Sequence, residues 1–188
     1  VAYDSRKVDF FDNAELEVKL SATYDLEAYQ FANIIIVVIN LNIKEESYEK
    51  GGLMNCYLSG NGCKAEIPSI TGNCWDGVSI LVETTTPPRI YDRVLKSIIE
   101  EVAKRDLTLE NYRFGLSCKR IVLKPQYIDA VREVPRACGG VATTSENVVE
   151  EFSKSTIDIS EFEVARFGHT SGTEMAKVLI TSYRAMDI

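Results

Sequence analysis

The sequence predicts an α/β protein built on a mostly parallel β-sheet that helices cover on both faces. Short apolar runs, of the kind that form buried strands, alternate along the chain with segments whose apolar residues recur at helical spacing. The segment from Thr170 to Ile188 shows the helical spacing most clearly, since Met175, Leu179 and Tyr183 recur at four-residue steps. Strands that alternate with helices are typical of parallel sheets with a helical layer on either side.

The clearest of the predicted strands are apolar runs. The longest of them, Ile34 to Ile39, is far too short to span a bilayer and predicts a buried central strand over Asn33–Ile39. Turn residues separate the runs and define their ends. The other predicted strands or extended segments are Val1–Tyr3, Val78–Glu83, Tyr112–Leu116, Arg136–Val141 and Ser160–Val164.

The predicted helices differ in how clearly they are patterned. Ile90–Lys104 is amphipathic, and its inward residues are expected to be Val94, Ile98, Ile99 and Val102. The last helix has a plausible start at Thr173 and Glu174, and no glycine or proline follows, so we expect it to continue in a larger protein. Lys177 in this helix is either a surface residue whose stem lies on apolar neighbours or a deliberately placed charge. A short helix is predicted at Asp25–Phe31, a further helix at Ser145–Lys154, and turn and helix character at Ser5–Asn13.

The region from Asn40 to Asp76 is expected to be irregular, because glycines and Pro68 interrupt it. It is either an irregular excursion or a damaged helix–loop unit. Within it, Gly60 to Ala65 formally matches the GxGxxA dinucleotide fingerprint. That fingerprint requires a strand before it and a helix after it. Because Pro68 follows almost at once, a turn is the favoured interpretation.

Composition limits the functional classes. The chain has 188 residues, 45% hydrophobic, with a formal net charge of −7, as expected for one ordinary domain. The acidic balance argues against binding to nucleic acid or to an anionic membrane surface, since both need clustered Lys and Arg. The five cysteines include no CxxC pair and His169 is the only histidine, so neither a disulfide framework nor a structural metal site is expected. Since cysteines without a disulfide framework are typical of reducing compartments, we expect a cytoplasmic location. No signal peptide is recognised, and the first residue is not Met.

Asp4 follows the first predicted strand directly. In dinucleotide-binding folds an acidic residue at the end of the second strand accepts the ribose hydroxyls, with the glycine-rich loop roughly 20 residues earlier. Here that loop would lie before the first residue of the chain. The alternative is that Asp4 caps the next helix, and local sequence alone favours this alternative.

Five segments, in this order and spacing, resemble the nucleotide-sugar dehydrogenase family, the UDP-glucose and UDP-N-acetylhexosamine 6-dehydrogenases. They are VAYDSRKV (1–8), SATYDLEAYQFANIIIVVI (21–39), LVETTTPP (81–88), LSCKRIVLKPQYIDAVREVPRACGGV (116–141) and TSGTEMAKVLITSYRAMDI (170–188). The resemblance covers most of the chain except about 40–76. It implies a Rossmann-like domain over residues 1–165, without its first strand–helix unit, and the start of a long central, dimerising helix over 166–188.

The resemblance also implies a function. The family carries out two successive NAD-dependent oxidations that turn the C6 alcohol of a UDP-sugar into a carboxylate, for polysaccharide biosynthesis. Thr85 matches a catalytic threonine and Lys177 a catalytic lysine, while Asp4 and Arg6 match the cofactor-binding positions. NAD, a UDP-sugar and a second copy of the chain are the implied partners.

The departures from the family pattern fall on functional positions. Lys119 stands at the family's catalytic glutamate and Thr181 at its asparagine. Arg89 replaces a glycine, and Leu123 with Lys124 replaces a proline–glycine pair. None of the five cysteines lies in the context of the family's cysteine nucleophile, which is expected outside the chain.

Two hypotheses therefore stay open. The chain is either a portion of an NAD-dependent UDP-sugar 6-dehydrogenase that is inactive by itself, or a catalytically dead α/β scaffold that acts in binding or assembly. A glycine-rich loop before the chain and a cysteine after it, in the full open reading frame, would favour the first.

Overall fold

A computed structural model describes residues 2–3, 22–38, 43–45, 56–58, 61–86, 88–91, 96–97, 101, 113–118 and 132–186. In chain order the strands are β1 Ala2–Tyr3, β2 Ala22–Thr23, β3 Ile34–Val37, β4 Ile43–Glu45, β5 Cys56–Leu58, β6 Ser79–Val82, β7 Arg113–Cys118, β8 Arg136–Gly140 and β9 Val164–His169. The helices are a 3₁₀ helix at Leu26–Phe31, α1 Asn61–Asn73, α2 Thr143–Thr156 and α3 Thr170–Met186.

The main sheet has five strands in the order β3-β6-β7-β8-β9. Every neighbouring pair is parallel except β7 and β8, which are antiparallel. The first two strands form a separate parallel pair, and β4 with β5 forms an antiparallel hairpin. The predicted α/β class with a mostly parallel, Rossmann-like sheet is thus confirmed.

Helices cover both faces of the main sheet. On one face, Ile67 and Ile70 of α1 join a buried cluster with Ile80, Phe114 and Leu116 of the central strands. On the other face, Val149 of α2 packs with Leu81 and Cys138. Removing each such large apolar side chain from water contributes about 1.5–3 kcal/mol, which explains why apolar residues of β6 and β7 face both helical layers.

Gly115 and Gly140 let α2 approach the sheet closely. A Cβ atom on Gly115 would collide with the side chain of Val149, and one on Gly140 would collide with the backbone of α2 at Glu146. The helix therefore lies against bare backbone where β7 and β8 pair.

Two predictions about the elements were wrong, and one open alternative is decided. The strand expected at the centre, β3, lies at one edge of the main sheet among the described residues, and Ile34 and Ile36 are 42% and 45% exposed. The region 40–76 contains the thirteen-residue helix α1, which favours the helix–loop alternative, and the helix tolerates Pro68 because Ile67 and Ile70 are anchored in the core. The extended segment expected at Ser160–Val164 is a turn at its start, and the strand begins only at Val164.

The helix α1 also bears on the GxGxxA match. The helix begins at Asn61, so most of the match is helical rather than a turn. The strand before it, β5, pairs with β4 and is not part of the main parallel sheet. The structural context of the dinucleotide fingerprint is therefore not met.

Other predictions agree with the structure or lie outside the described residues. Strands β6, β7 and β8 and helices α2 and α3 lie where they are predicted, within a few residues. In the helix predicted over Ile90–Lys104, residues 90–91, 96–97 and 101 are helical. Its four inward residues and the segment Ser5–Asn13 are outside the described residues.

Candidate functional site

The candidate site lies where β6 and β7 end, where β8 begins and where α3 passes. Ligands of open parallel sheets bind outside the carboxyl ends of the strands. Here the carboxyl ends of β6 and β7 bring Glu83 and Cys118 to one edge, and the antiparallel β8 starts there with Arg136. The first turns of α3 add Thr173, Glu174 and Lys177 to the same edge.

A buried ion pair forms the base of the site. Nη1 of Arg136 lies 3.3 Å from Oε1 of Glu83, and their side chains are only 2% and 5% exposed. Burial lowers the pKa of Arg136, while the carboxylate of Glu83 acts in the opposite direction. Nε of Arg136 has no hydrogen-bond partner among the described residues. This pair fixes the end of β6 to the start of β8.

Cys118 is the thiol of the site, and it is protonated at neutral pH. Burial raises its pKa to about 11, the ammonium group of Lys177 lowers it in part, and the carboxylates of Glu174 and Glu83 raise it further. Its Sγ donates a hydrogen bond of 3.3 Å to the carbonyl oxygen of Thr173. Because the thiolate is the nucleophilic form, this environment is that of a structural rather than a reactive cysteine.

Glu174 joins α3 to the loop that follows β6. Its carboxylate is buried and accepts hydrogen bonds from the hydroxyl of Thr86 and from the backbone N–H groups of Arg89 and Tyr91. These three partners precede it by more than eighty residues. The loop and the helix therefore hold a fixed relative position.

The structure brings two of the sequence-predicted site residues to adjoining elements. Thr85 is exposed in the loop, directly before Thr86, and Lys177 is half-buried on α3, three residues after Glu174. Both interpretations of Lys177 stay open, because a half-buried lysine is compatible with a stem that lies on apolar neighbours and with a placed charge. Its ammonium group lowers the pKa of Cys118 in part. Thr181 is exposed, and its hydroxyl donates to the carbonyl oxygen of Lys177 in its own helix at 2.8 Å. Lys119, Asp4 and Arg6 lie outside the described residues, as do Leu123 and Lys124.

Sequence reasoning missed several residues of the site. Glu83, Cys118 and Arg136 lie within segments that carried the family resemblance, but nothing in the local pattern indicated that they meet. Glu174 was read only as a helix start. The one available signal was a glutamate at the start of the apolar helical pattern.

The architecture and this edge define a Rossmann-like α/β protein, and solved structures with the same fold are nucleotide-sugar dehydrogenases. GDP-mannose dehydrogenase from Pseudomonas aeruginosa superposes with a TM-score of 0.72 and 14% identity, over 89% of this chain and 36% of that one. UDP-D-ManNAc dehydrogenase from Pyrococcus horikoshii gives 0.70 and 15%, over 87% and 35%. NDP-N-acetyl-D-galactosaminuronic acid dehydrogenase from Methanosarcina mazei gives 0.71 and 16%, over 87% and 32%.

The resemblance inferred from the five sequence segments is thus confirmed at the level of the fold. The chain spans about a third of the length of these structures. No family model matches the sequence, and no curated protein matches it.

Two further findings concern the described residues only. They contain no helix with the length and apolar character needed to cross a membrane. They also contain no group of three or more His, Cys, Asp or Glu side chains arranged to hold a metal ion.

Proposed function

We propose that the chain is a portion of a cytoplasmic, NAD-dependent nucleotide-sugar 6-dehydrogenase that oxidises the C6 alcohol of a UDP-sugar to a carboxylate, and that it is inactive by itself. The observation that carries the proposal is the linkage of the Thr85 loop to the Lys177 helix at the carboxyl edge of a Rossmann-like sheet. An ammonium group and a hydroxyl at one edge suit a substrate with hydroxyls and negative charge. Each of the three similar structures described above is a dehydrogenase.

The described residues do not supply the site that NAD requires. The pyrophosphate of a dinucleotide binds at a glycine-rich turn between a sheet strand and a helix. The one formal match, Gly60 to Ala65, follows a strand of the β4–β5 hairpin instead. The proposal therefore assigns NAD to the whole enzyme, and weak or no NAD binding to this chain.

The residues at two family positions support inactivity. Lys119 carries a positive charge where the resemblance places a glutamate, so it offers neither a base nor a carboxylate. At the asparagine position, the hydroxyl of Thr181 is engaged by its own helix. Neither side chain provides the group that the family uses.

We expect the purified chain to bind UDP-hexoses weakly and to form no NADH from NAD with any of a panel of them. Binding is measured by saturation-transfer NMR and turnover by NADH absorbance. Lys177→Ala should abolish the NMR signal, because it removes the ammonium group. Lys154→Ala, on the exposed surface of α2, is the matched control and should leave it unchanged.

Two outcomes would contradict this proposal. Equal saturation-transfer signals from Lys177→Ala and Lys154→Ala would contradict the proposal that Lys177 binds a nucleotide sugar. Substrate-dependent NADH formation that disappears in Lys177→Ala would show that the chain is an active enzyme after all.

A second candidate function, assembly, is favoured by the exposed apolar residues of α3. Met175, Leu179 and Tyr183, one helical turn apart, are 45%, 60% and 68% exposed, and Ile180 is exposed beside them. Val178 is half-buried, and the side chain of Met186 is outside the described residues. A contiguous stripe of this kind marks an interaction surface more often than a free one.

We expect the chain to form a homodimer through this stripe. Light scattering at tens of micromolar should report a dimer, and Leu179→Asp should dissociate it or make it insoluble, because a charge would be buried in the interface. Ile159→Asp is the control, since Ile159 is equally exposed but lies in the turn after α2. A soluble monomer for the unsubstituted chain would rule out the interface.

A further inference from the structure

The carboxylate of Glu174 lies in a pocket of hydrogen-bond donors from the loop after β6. The side chain is 1% exposed. Its Oε2 accepts the backbone N–H of Arg89 at 2.5 Å, and its Oε1 accepts the hydroxyl of Thr86 at 3.3 Å and the N–H of Tyr91 at 3.4 Å. All three donors come from residues 86–91, and all converge on one carboxyl group.

The backbone of this loop is shaped for an anion. Arg89 has a φ of 70°, which is the left-handed conformation, and the chain turns helical at Ile90 immediately afterwards. A left-handed residue next to a right-handed one points successive N–H groups into one concavity, and such concavities bind phosphate and carboxylate groups. A non-glycine residue in this conformation is uncommon and is held by its surroundings, and here the short bond from Arg89 to Glu174 holds it.

The buried carboxylate needs these donors in turn. An ionised carboxylate taken out of water is strongly destabilising unless hydrogen bonds or a counter-charge replace its hydration. Two of the three donors are backbone groups, which no substitution short of proline removes. The loop therefore presents a fixed set of donors that suits an oxyanion of carboxylate size.

We propose that Thr86, Arg89 and Tyr91 form an oxyanion-binding site whose occupant is the chain's own Glu174, a positioning residue that locks α3 to the loop after β6. The hydrogen bonds of Glu174 fix the loop that carries Thr85 relative to the helix that carries Lys177. Thr85 directly precedes Thr86, and Lys177 lies three residues beyond Glu174. The proposal does not depend on the dehydrogenase assignment, because it concerns only how the loop recognises a carboxylate. It predicts that a free small anion takes the place of the side chain when that side chain is removed.

Formate is the probe, because it is the smallest carboxylate. Glu174→Ala should lower the thermal unfolding midpoint by about 5–10 °C. Formate should then raise the midpoint of this variant, and chloride at the same ionic strength should not. Glu151→Ala, which changes an exposed glutamate of α2, is the matched control. In this variant and in the unsubstituted chain, formate and chloride should shift the thermal unfolding midpoint by the same small amount. Glu174→Gln should retain part of the stability, since it keeps one acceptor oxygen.

Amide NMR identifies the place of binding. In Glu174→Ala, formate should shift the N–H resonances of Arg89 and Tyr91 downfield, toward their positions in the unsubstituted chain. If Glu174→Ala does not fold, Glu174→Gln supplies the test, because its Arg89 N–H resonance should move upfield when the charge on the acceptor is lost. An identical response to formate and chloride in Glu174→Ala, or an unmoved Arg89 resonance in Glu174→Gln, would overturn the proposal.

Discussion

Replacing Glu83 with glutamine is expected to destabilise the chain by about 3–5 kcal/mol, the cost of leaving a buried charge without its partner. The guanidinium of Arg136 is almost fully buried and has its ion pair with Glu83. Glutamine keeps the shape and one acceptor oxygen but not the charge. Domains of ordinary stability unfold with a free energy of about 5–15 kcal/mol, so this loss is a large part of the total. Urea denaturation followed by circular dichroism measures it.

The matched control removes both charges. Glu83→Gln combined with Arg136→Met should cost less than Glu83→Gln alone, because no buried charge is then left unpaired. The double substitution thus separates the penalty of an unpaired charge from the loss of packing. A Glu83→Gln variant within about 1 kcal/mol of the unsubstituted chain would show that water reaches Arg136, contrary to its burial.

Gly140→Ala is expected to cost about 3 kcal/mol, at the upper end of the range for overpacking. The added methyl group would lie 2.8 Å from the carbonyl oxygen of Ala142 and closer still to the backbone nitrogen of Glu146. Both are backbone atoms at the start of α2, so the helix itself has to move. Because α2 covers one face of the main sheet, the unfolding transition should occur at a clearly lower urea concentration.

Gly168→Asn provides the comparison. Gly168 has a φ of 73°, a conformation that asparagine tolerates, and a Cβ there has nothing within 4 Å. This change should cost less than about 1 kcal/mol. Equal losses from the two variants would mean that close approach of α2 is not what requires glycine at position 140.

The local elements could be predicted because their signals are local. An apolar run identifies β6, and four-residue spacing identifies α3, because burial imposes these patterns on the sequence. Helix α1 could not be placed, and a helix–loop unit was only one of two alternatives there, because Pro68 and the surrounding glycines count as breakers. The buried side chains of Ile67 and Ile70 stabilise the helix through tertiary contacts instead.

The site could not be predicted in the same way. The partners Glu83 and Arg136 are 53 residues apart, and Glu174 is 88 residues from Thr86. Their contacts follow from the strand order and from the path of α3 across the sheet, which no local pattern encodes. The position of β3 at the sheet edge was missed for the same reason. An apolar run indicates that a strand is buried, but it does not indicate which strands pair with it.

The edge strand β3 has a consequence for how the chain behaves in a concentrated solution. Ile34 and Ile36 present half-exposed side chains beside a strand edge that has no partner strand among the described residues. Edges of this kind, without charged side chains or proline to protect them, are templates for strand pairing between molecules and so for aggregation. Ile34 to Val38 carries no charge at all, so neither repulsion nor proline opposes the pairing of one copy with the next. Concentrated solutions of the chain are therefore expected to form larger species by light scattering unless this segment is covered.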